Sequence, residues 1–144
     1  MGKKRVATKK GTTVDKSAKQ RALSKLSRKR LDSGILYVHA TYNNTRVSLT
    51  DTDGNLVSSS SSGALGFRGA KKGTPFAAAK VGEIIGEQAK QLGVREADVV
   101  VKGVGAGRES AIRAFSSFGI NLNSIKDKTP IPFNGPRSPK PRRV

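Results

Sequence analysis

Cysteine and tryptophan are absent from this 144-residue chain, histidine and methionine occur once each, and ten acidic residues stand against 28 basic ones. The lack of cysteine excludes a disulfide scaffold, thiolate zinc sites, iron–sulfur clusters and cysteine nucleophiles. It also fits a reducing cytosol. No apolar run approaches the roughly 18 residues needed to span a membrane. The N-terminal MGKKRVATKK lacks the apolar stretch of a secretory signal. Apolar residues make up 35% of the chain, against about 45–50% in ordinary globular proteins. What is abundant is positive charge, a formal +18.

That charge is placed unevenly. Residues 1–33 hold 12 basic and 2 acidic side chains, and residues 129–144 hold 4 basic and no acidic ones. Residues 34–128, with 12 basic and 8 acidic, have the balance of a mildly basic domain. The first segment has few large apolar side chains (Val6, Val14, Leu23, Leu26 and Leu31). It cannot bury enough surface to offset its ordering entropy, so it is expected to be disordered when free. Residues 18–30 could form a short helix on a partner. The last segment carries Pro130, Pro132, Pro136, Pro139 and Pro141, which fix φ and remove donors, predicting an extended tail. Two basic tails around one domain point to a polyanion, and nucleic acid is the expected partner.

The central segment alternates as an α/β domain. ILYVHATY (35–42) reads as a strand with Leu36, Val38 and Ala40 on one face and Tyr37 and His39 on the other. Asn43-Asn44-Thr45 is turn chemistry, and 45–51 is a second strand with Val47 and Leu49 inward. Asp51 to Gly54 forms a tight turn. A third strand begins at Leu56 and enters a serine tract. Thr74 and Pro75 open a helix as N-cap and N1 residue. Ala78, Val81, Ile85, Ala89 and Leu92 form its apolar stripe, Gly82 and Gly86 permit close approach to a neighbour, and Gly93 ends it. DVVVKG (98–103) reads as a strand covered on both faces. A helix over 108–118 and a strand over 120–127 complete the order β-β-β-α-β-α-β. This predicts a mixed sheet made of an antiparallel meander and two right-handed crossovers.

No catalytic set emerges. His39 lies mid-strand without a spacing that supplies a nucleophile and carboxylate. Asp51 and Asp53 read as turn formers. Gly103-Val104-Gly105-Ala106-Gly107 follows a strand and precedes a helix, but it does not complete G-x-G-x-x-G, and there is no P-loop. The underlying physics remains: glycine allows close approach and a helix N-terminus attracts anions. Lys102 and Arg108 bracket this loop, and a backbone phosphate is the expected anion. The segment 63–73 has the same ingredients in Arg68, Lys71 and Lys72, while Phe67 either stacks a base or plugs the core. No cofactor or metal is implied.

Three collinear motifs then carry a resemblance: ATYNNTRVSLTDTDGNLVSSSSSGALGFRGAKKGTPFAAAKVGE, VKGVGAGRESAIRAF and TPIPFNGPRSPKPRRV. They closely resemble the eleventh small-subunit ribosomal protein family, bacterial type, across residues 34–144. Where the family usually shows a P-G-S-G-like loop, this chain has the 103–107 loop, with the glycines and the following Arg108-Glu109-Ser110 retained. The resemblance implies a ribonuclease-H-like α/β domain without nuclease carboxylates. It implies a cytoplasmic structural protein of the small ribosomal subunit, without enzymatic activity. It would bind 16S-type ribosomal RNA on the platform and bridge RNA helices near the mRNA exit and the Shine–Dalgarno cleft. The implied partners are the seventh and eighteenth small-subunit proteins and initiation factor three, with mRNA nearby. Motif matching carries RNA contacts to Asn43, Asn44, Thr45, Phe67, Arg68, Lys71, Lys72, Lys102, Gly103, Gly105, Gly107 and Arg108. In the tail it carries them to Asn134, Arg137, Lys140, Arg142 and Arg143. The alternatives are a general basic nucleic-acid-binding protein and a nuclease or nucleotide-dependent enzyme.

Overall fold

In a computed structural model of the chain, which describes residues 16–24 and 30–143, five strands form one mixed sheet of order β3-β2-β1-β4-β5. The strands are β1 (Ser33–Ala40), β2 (Thr45–Thr50), β3 (Leu56–Ser61), β4 (Glu96–Lys102) and β5 (Asn121–Asp127). The helices are α1 (Lys16–Ser24), α2 (Pro75–Leu92) and α3 (Arg108–Ser116). β1 pairs antiparallel with β2 and parallel with β4, so the meander and the crossover half meet along β1.

The alternation in β1 and β2 does what a period of two requires. Leu36, Val38 and Ala40 are buried with Val47 and Leu49 beneath α2 and α3, while Tyr37, His39 and Arg46 face away. The serine tract pairs with β2 as β3 although serine has little strand preference of its own. Ser60 is buried inward, and Ser58 donates to the buried Gln88 of α2. Strand β4 departs from the expected two-sided cover. Ala97, Val99 and Val101 are buried, but Val100 is only half-buried and Asp98 is exposed. Both α2 and α3 lie on one face of the sheet, so Val100, the middle residue of the VVV run, borders an open face.

Helix α2 begins where its cap chemistry dictates. The Thr74 hydroxyl accepts from Ala77 N at 3.3 Å, Pro75 occupies the first turn, and Gly93 ends the helix at φ 89°. Its stripe (Ala78, Val81, Ile85, Ala89 and Leu92) is buried. The two helix glycines bring α2 against α3. A Cβ on Gly82 would lie 2.4 Å from the Ala111 carbonyl oxygen, and one on Gly86 would lie 2.5 Å from the Phe118 ring. Helix α3 ends at Ser116, two residues short of the expected Phe118, because residues 117–119 tighten into a turn before Gly119 at φ 82°.

Most of the 1–33 extension lies outside the described residues. Its described part forms α1 from Lys16, where sequence reading places a helix over 18–30 formed on a partner. Here Lys19 pairs with Glu87 of α2 at 3.1 Å. The domain also starts slightly before residue 34, since Leu31 packs on the core and its N–H donates to the Leu92 carbonyl.

Candidate nucleic-acid interface

Strand direction brings four connections to one end of the sheet: residues 41–44, 62–74 and 103–107, and the chain leaving β5. These are the carboxyl ends of β1, β3, β4 and β5, the edge where open α/β sheets bind ligands. Backbone contacts lock the segments together. Gly105 N–H donates to the Ala40 carbonyl at 3.1 Å, Lys128 N–H to the Val101 carbonyl at 2.8 Å, and Gly63 N–H to Asn44 Oδ1 at 3.4 Å. Arg68, Lys71 and Lys102 are exposed at this end, Lys72 is half-buried, and Asn43 is exposed beside the half-buried Asn44.

The glycine loop has a packing role that its sequence does not show. A Cβ on Gly103 would lie 2.0 Å from the Ala40 carbonyl oxygen, and Gly103 has φ 98°. A Cβ on Gly105 would meet the Thr41 oxygen at 2.3 Å, and one on Gly107 the Thr45 hydroxyl at 2.4 Å. The close approach is therefore to the β1–β2 corner of the protein itself. Glycine at 103–107 lets β4 run into α3 directly against β1.

Arg108 is likewise committed within the fold. Its guanidinium donates to the Gly103 carbonyl, to Thr129 Oγ1 at 3.3 Å and to Asp127 Oδ2 at 2.6 Å. Asp127 also accepts from the Thr129 hydroxyl at 2.5 Å and the Thr129 N–H at 2.9 Å. The Arg108 hydrogen bond, followed by those from Thr129, holds the Asp127 carboxyl well below the usual carboxylate range. The cluster joins two connections at one point, the 103–107 loop and the chain leaving β5. Asp127 and Thr129, which sequence reading left out of the site, carry a signal in the D-x-T spacing, since an Asp side chain commonly accepts from the backbone two residues on.

Two further expected RNA contacts are enclosed by the fold. Phe67 plugs the core, 5% exposed, with its ring edge-on to Phe76 at 6.1 Å. It cannot stack a base. Thr45 is fully buried, and its Oγ1 has no hydrogen-bond partner among the described residues. In the tail, Asn134 adopts φ 54° in the Asn-Gly turn, Arg137, Lys140, Arg142 and Arg143 are exposed, and Phe133 stands 95% exposed. Among the described residues no three His, Cys, Asp or Glu side chains cluster to hold a metal.

The sequence profile of the family described as Ribosomal protein S11 matches residues 34–143. The chain belongs to the ribosomal protein S11 family. S11-family proteins are structural, non-enzymatic components of the small ribosomal subunit that bind ribosomal RNA. The matched span begins at β1 and runs through the whole sheet, both large helices and the tail.

Proposed function

We propose that this protein holds 16S-type ribosomal RNA helices together on the platform of the small subunit, near the mRNA exit and Shine–Dalgarno cleft. In this reading the sheet is ribonuclease-H-like, a meander plus two parallel strands in the order β3-β2-β1-β4-β5, serving as a rigid mount. The observation that carries the proposal is the convergence of the basic connections and the basic tail at one sheet end. Arg68, Lys71, Lys72 and Lys102 neutralise phosphates there, with Asn43 and Asn44 contacting backbone or base edges. Arg137, Lys140, Arg142 and Arg143 extend the same footprint along a second RNA segment, redirected by Asn134. The neighbours are the seventh and eighteenth small-subunit proteins, with initiation factor three and mRNA near the same region of the cytoplasmic subunit.

Two measurements test this. The protein should co-sediment with small subunits at high salt, and its affinity for platform RNA should fall with a log–log slope steeper than about −5. Equal affinity for random duplex DNA at matched salt would make it a general basic nucleic-acid binder and overturn the assignment.

A further inference from the structure

Beyond the loops and tail, the sheet presents a second surface. No described helix packs on the face opposite α2 and α3, and towards the carboxyl ends of β1, β4 and β5 the strand register sets side chains in two rows. One row places Arg46, His39 and Lys102 on adjacent strands, β2, β1 and β4. The row beside it places Tyr37 next to Val100 and then Lys126 on β5. Tyr37 is 38% exposed, His39, Arg46, Lys102 and Lys126 are exposed, and Val100 is half-buried. Tyr37 and His39 stand two residues apart on one strand, so their rings project from the same face about 7 Å apart.

The charges on this face are segregated. Glu96 opens β4 and Asp98 stands in the row next to Tyr37's, bonded to Asn123 and Ser124 at 3.0 and 2.6 Å. The two rows that carry the rings themselves hold three cations and no acid. An aromatic pair on an open sheet, rimmed by Arg and Lys, is the arrangement that stacks unpaired bases while cations follow the phosphates. A protein partner would gain little from three cations that have no ion-pair partner among the described residues, whereas a polyanion with flat bases satisfies both features.

We propose that this open face is a binding site for single-stranded RNA, with Tyr37 and His39 stacking successive bases and Arg46, Lys102 and Lys126 contacting the intervening phosphates. The site shares Lys102 with the loop interface at the end of β4 but lies on the open face, and it does not depend on its placement in the subunit.

The chain has no tryptophan and two tyrosines, which makes Tyr37 its own reporter. In a full-length Tyr42→Phe background, Tyr37 emission should be quenched saturably by an eight-nucleotide oligoadenylate. Substituting Lys71 and Lys72 with alanine should leave that quenching in place. Tyr37→Phe should retain oligonucleotide affinity, while Tyr37→Ala should lose about 5- to 100-fold. Lys126→Glu, at an exposed edge-strand position away from the core, should weaken binding without changing thermal unfolding. Unchanged Tyr37 emission at saturating oligoadenylate, or wild-type affinity in both Tyr37→Ala and Lys126→Glu, overturns the proposal. Self-association through this face, lost in Lys126→Glu while oligoadenylate leaves Tyr37 emission unaltered, overturns it in favour of a protein interface. Loss of platform-RNA binding in the Lys71/Lys72 variant with Tyr37 quenching preserved separates this site from the loop interface.

Discussion

Arg108, the first residue of α3, and Asp127, the last of β5, form an ion pair at 2.6 Å that ties the helix start to the point where the tail leaves the domain. The guanidinium also bonds the Gly103 carbonyl and Thr129, so one side chain closes the loop before its helix and fixes the tail's exit.

This arrangement makes Arg108 a stability residue. Losing its bonds to the Gly103 carbonyl and the Thr129 hydroxyl should cost about 1–2 kcal/mol at neutral pH in Arg108→Ala. The Asp127 pair adds a pH signature. Its carboxyl is depressed in the folded state, so its contribution is present above the unfolded value of about 3.9 and fades as pH falls through the folded value. The gap in melting temperature between wild type and Arg108→Ala should be widest near pH 6–7 and narrow below about pH 4. A gap independent of pH would show that Asp127 does not feel Arg108.

Gly105 provides a second separation of fold from binding. With Thr41 oxygen 2.3 Å from the position of a new Cβ, Gly105→Ala must push β1 and β4 apart at their ends. Overpacking of this kind costs about 3 kcal/mol. Gly119→Ala is the control, because its Cβ meets nothing within 4 Å and only its φ of 82° is unfavourable, a cost of about 1 kcal/mol. Denaturant melts of both variants should show the larger loss at 105. RNA affinity per folded molecule should be unchanged in each.

Thr45 leads to a prediction of opposite sign. Its hydroxyl is fully buried with no hydrogen-bond partner among the described residues, and an unsatisfied buried hydroxyl costs about 1–3 kcal/mol. Valine has nearly the same shape without that cost. Thr45→Val should therefore raise the melting temperature by several degrees, on the order of 4–8 °C per kcal/mol for a domain of this size. A lower melting temperature would reveal a bound water or a partner at Oγ1.

These residues show where the sequence was readable. The strand faces of β1 and β2, the Thr74–Pro75 start and Gly93 stop of α2, and the close approach at Gly82 and Gly86 follow from local rules. Each depends on period, cap chemistry or side-chain size within a few residues. What escaped depends on distant segments meeting. Gly103, Gly105 and Gly107 look like an anion loop until β1 is placed against them, and Phe67 is ambiguous until Phe76 is beside it. Arg108 reads as a phosphate ligand until β5 brings Asp127 within reach. The VVV run of β4 reads as two-sided because sequence does not reveal that both large helices cover the same face.

The tail offers the sharpest division between folding and binding. The buried core cluster extends from Leu36 to Ile120, and beyond Thr129 the tail is exposed, with Ile131 at 76% and Phe133 at 95%. Deleting residues 134–144 should therefore leave thermal unfolding of the domain essentially unchanged. Binding should change markedly. Prolines 136, 139 and 141 pre-extend the segment, which reduces the entropy lost on docking. At about 3.1 Å per residue, Arg137 to Arg143 covers roughly 20 Å of RNA backbone. Three of the four cations are arginines, whose planar donors suit bidentate phosphate contact. The truncated chain should incorporate poorly into small subunits. Its salt slope should be shallower by about three units, the share of four phosphates at roughly −0.7 to −0.9 each. Thermal melts and salt-dependent RNA titrations on the same truncation decide the matter. Unfolding would make the tail part of the domain, and an unchanged slope would show that its cations never reach phosphate.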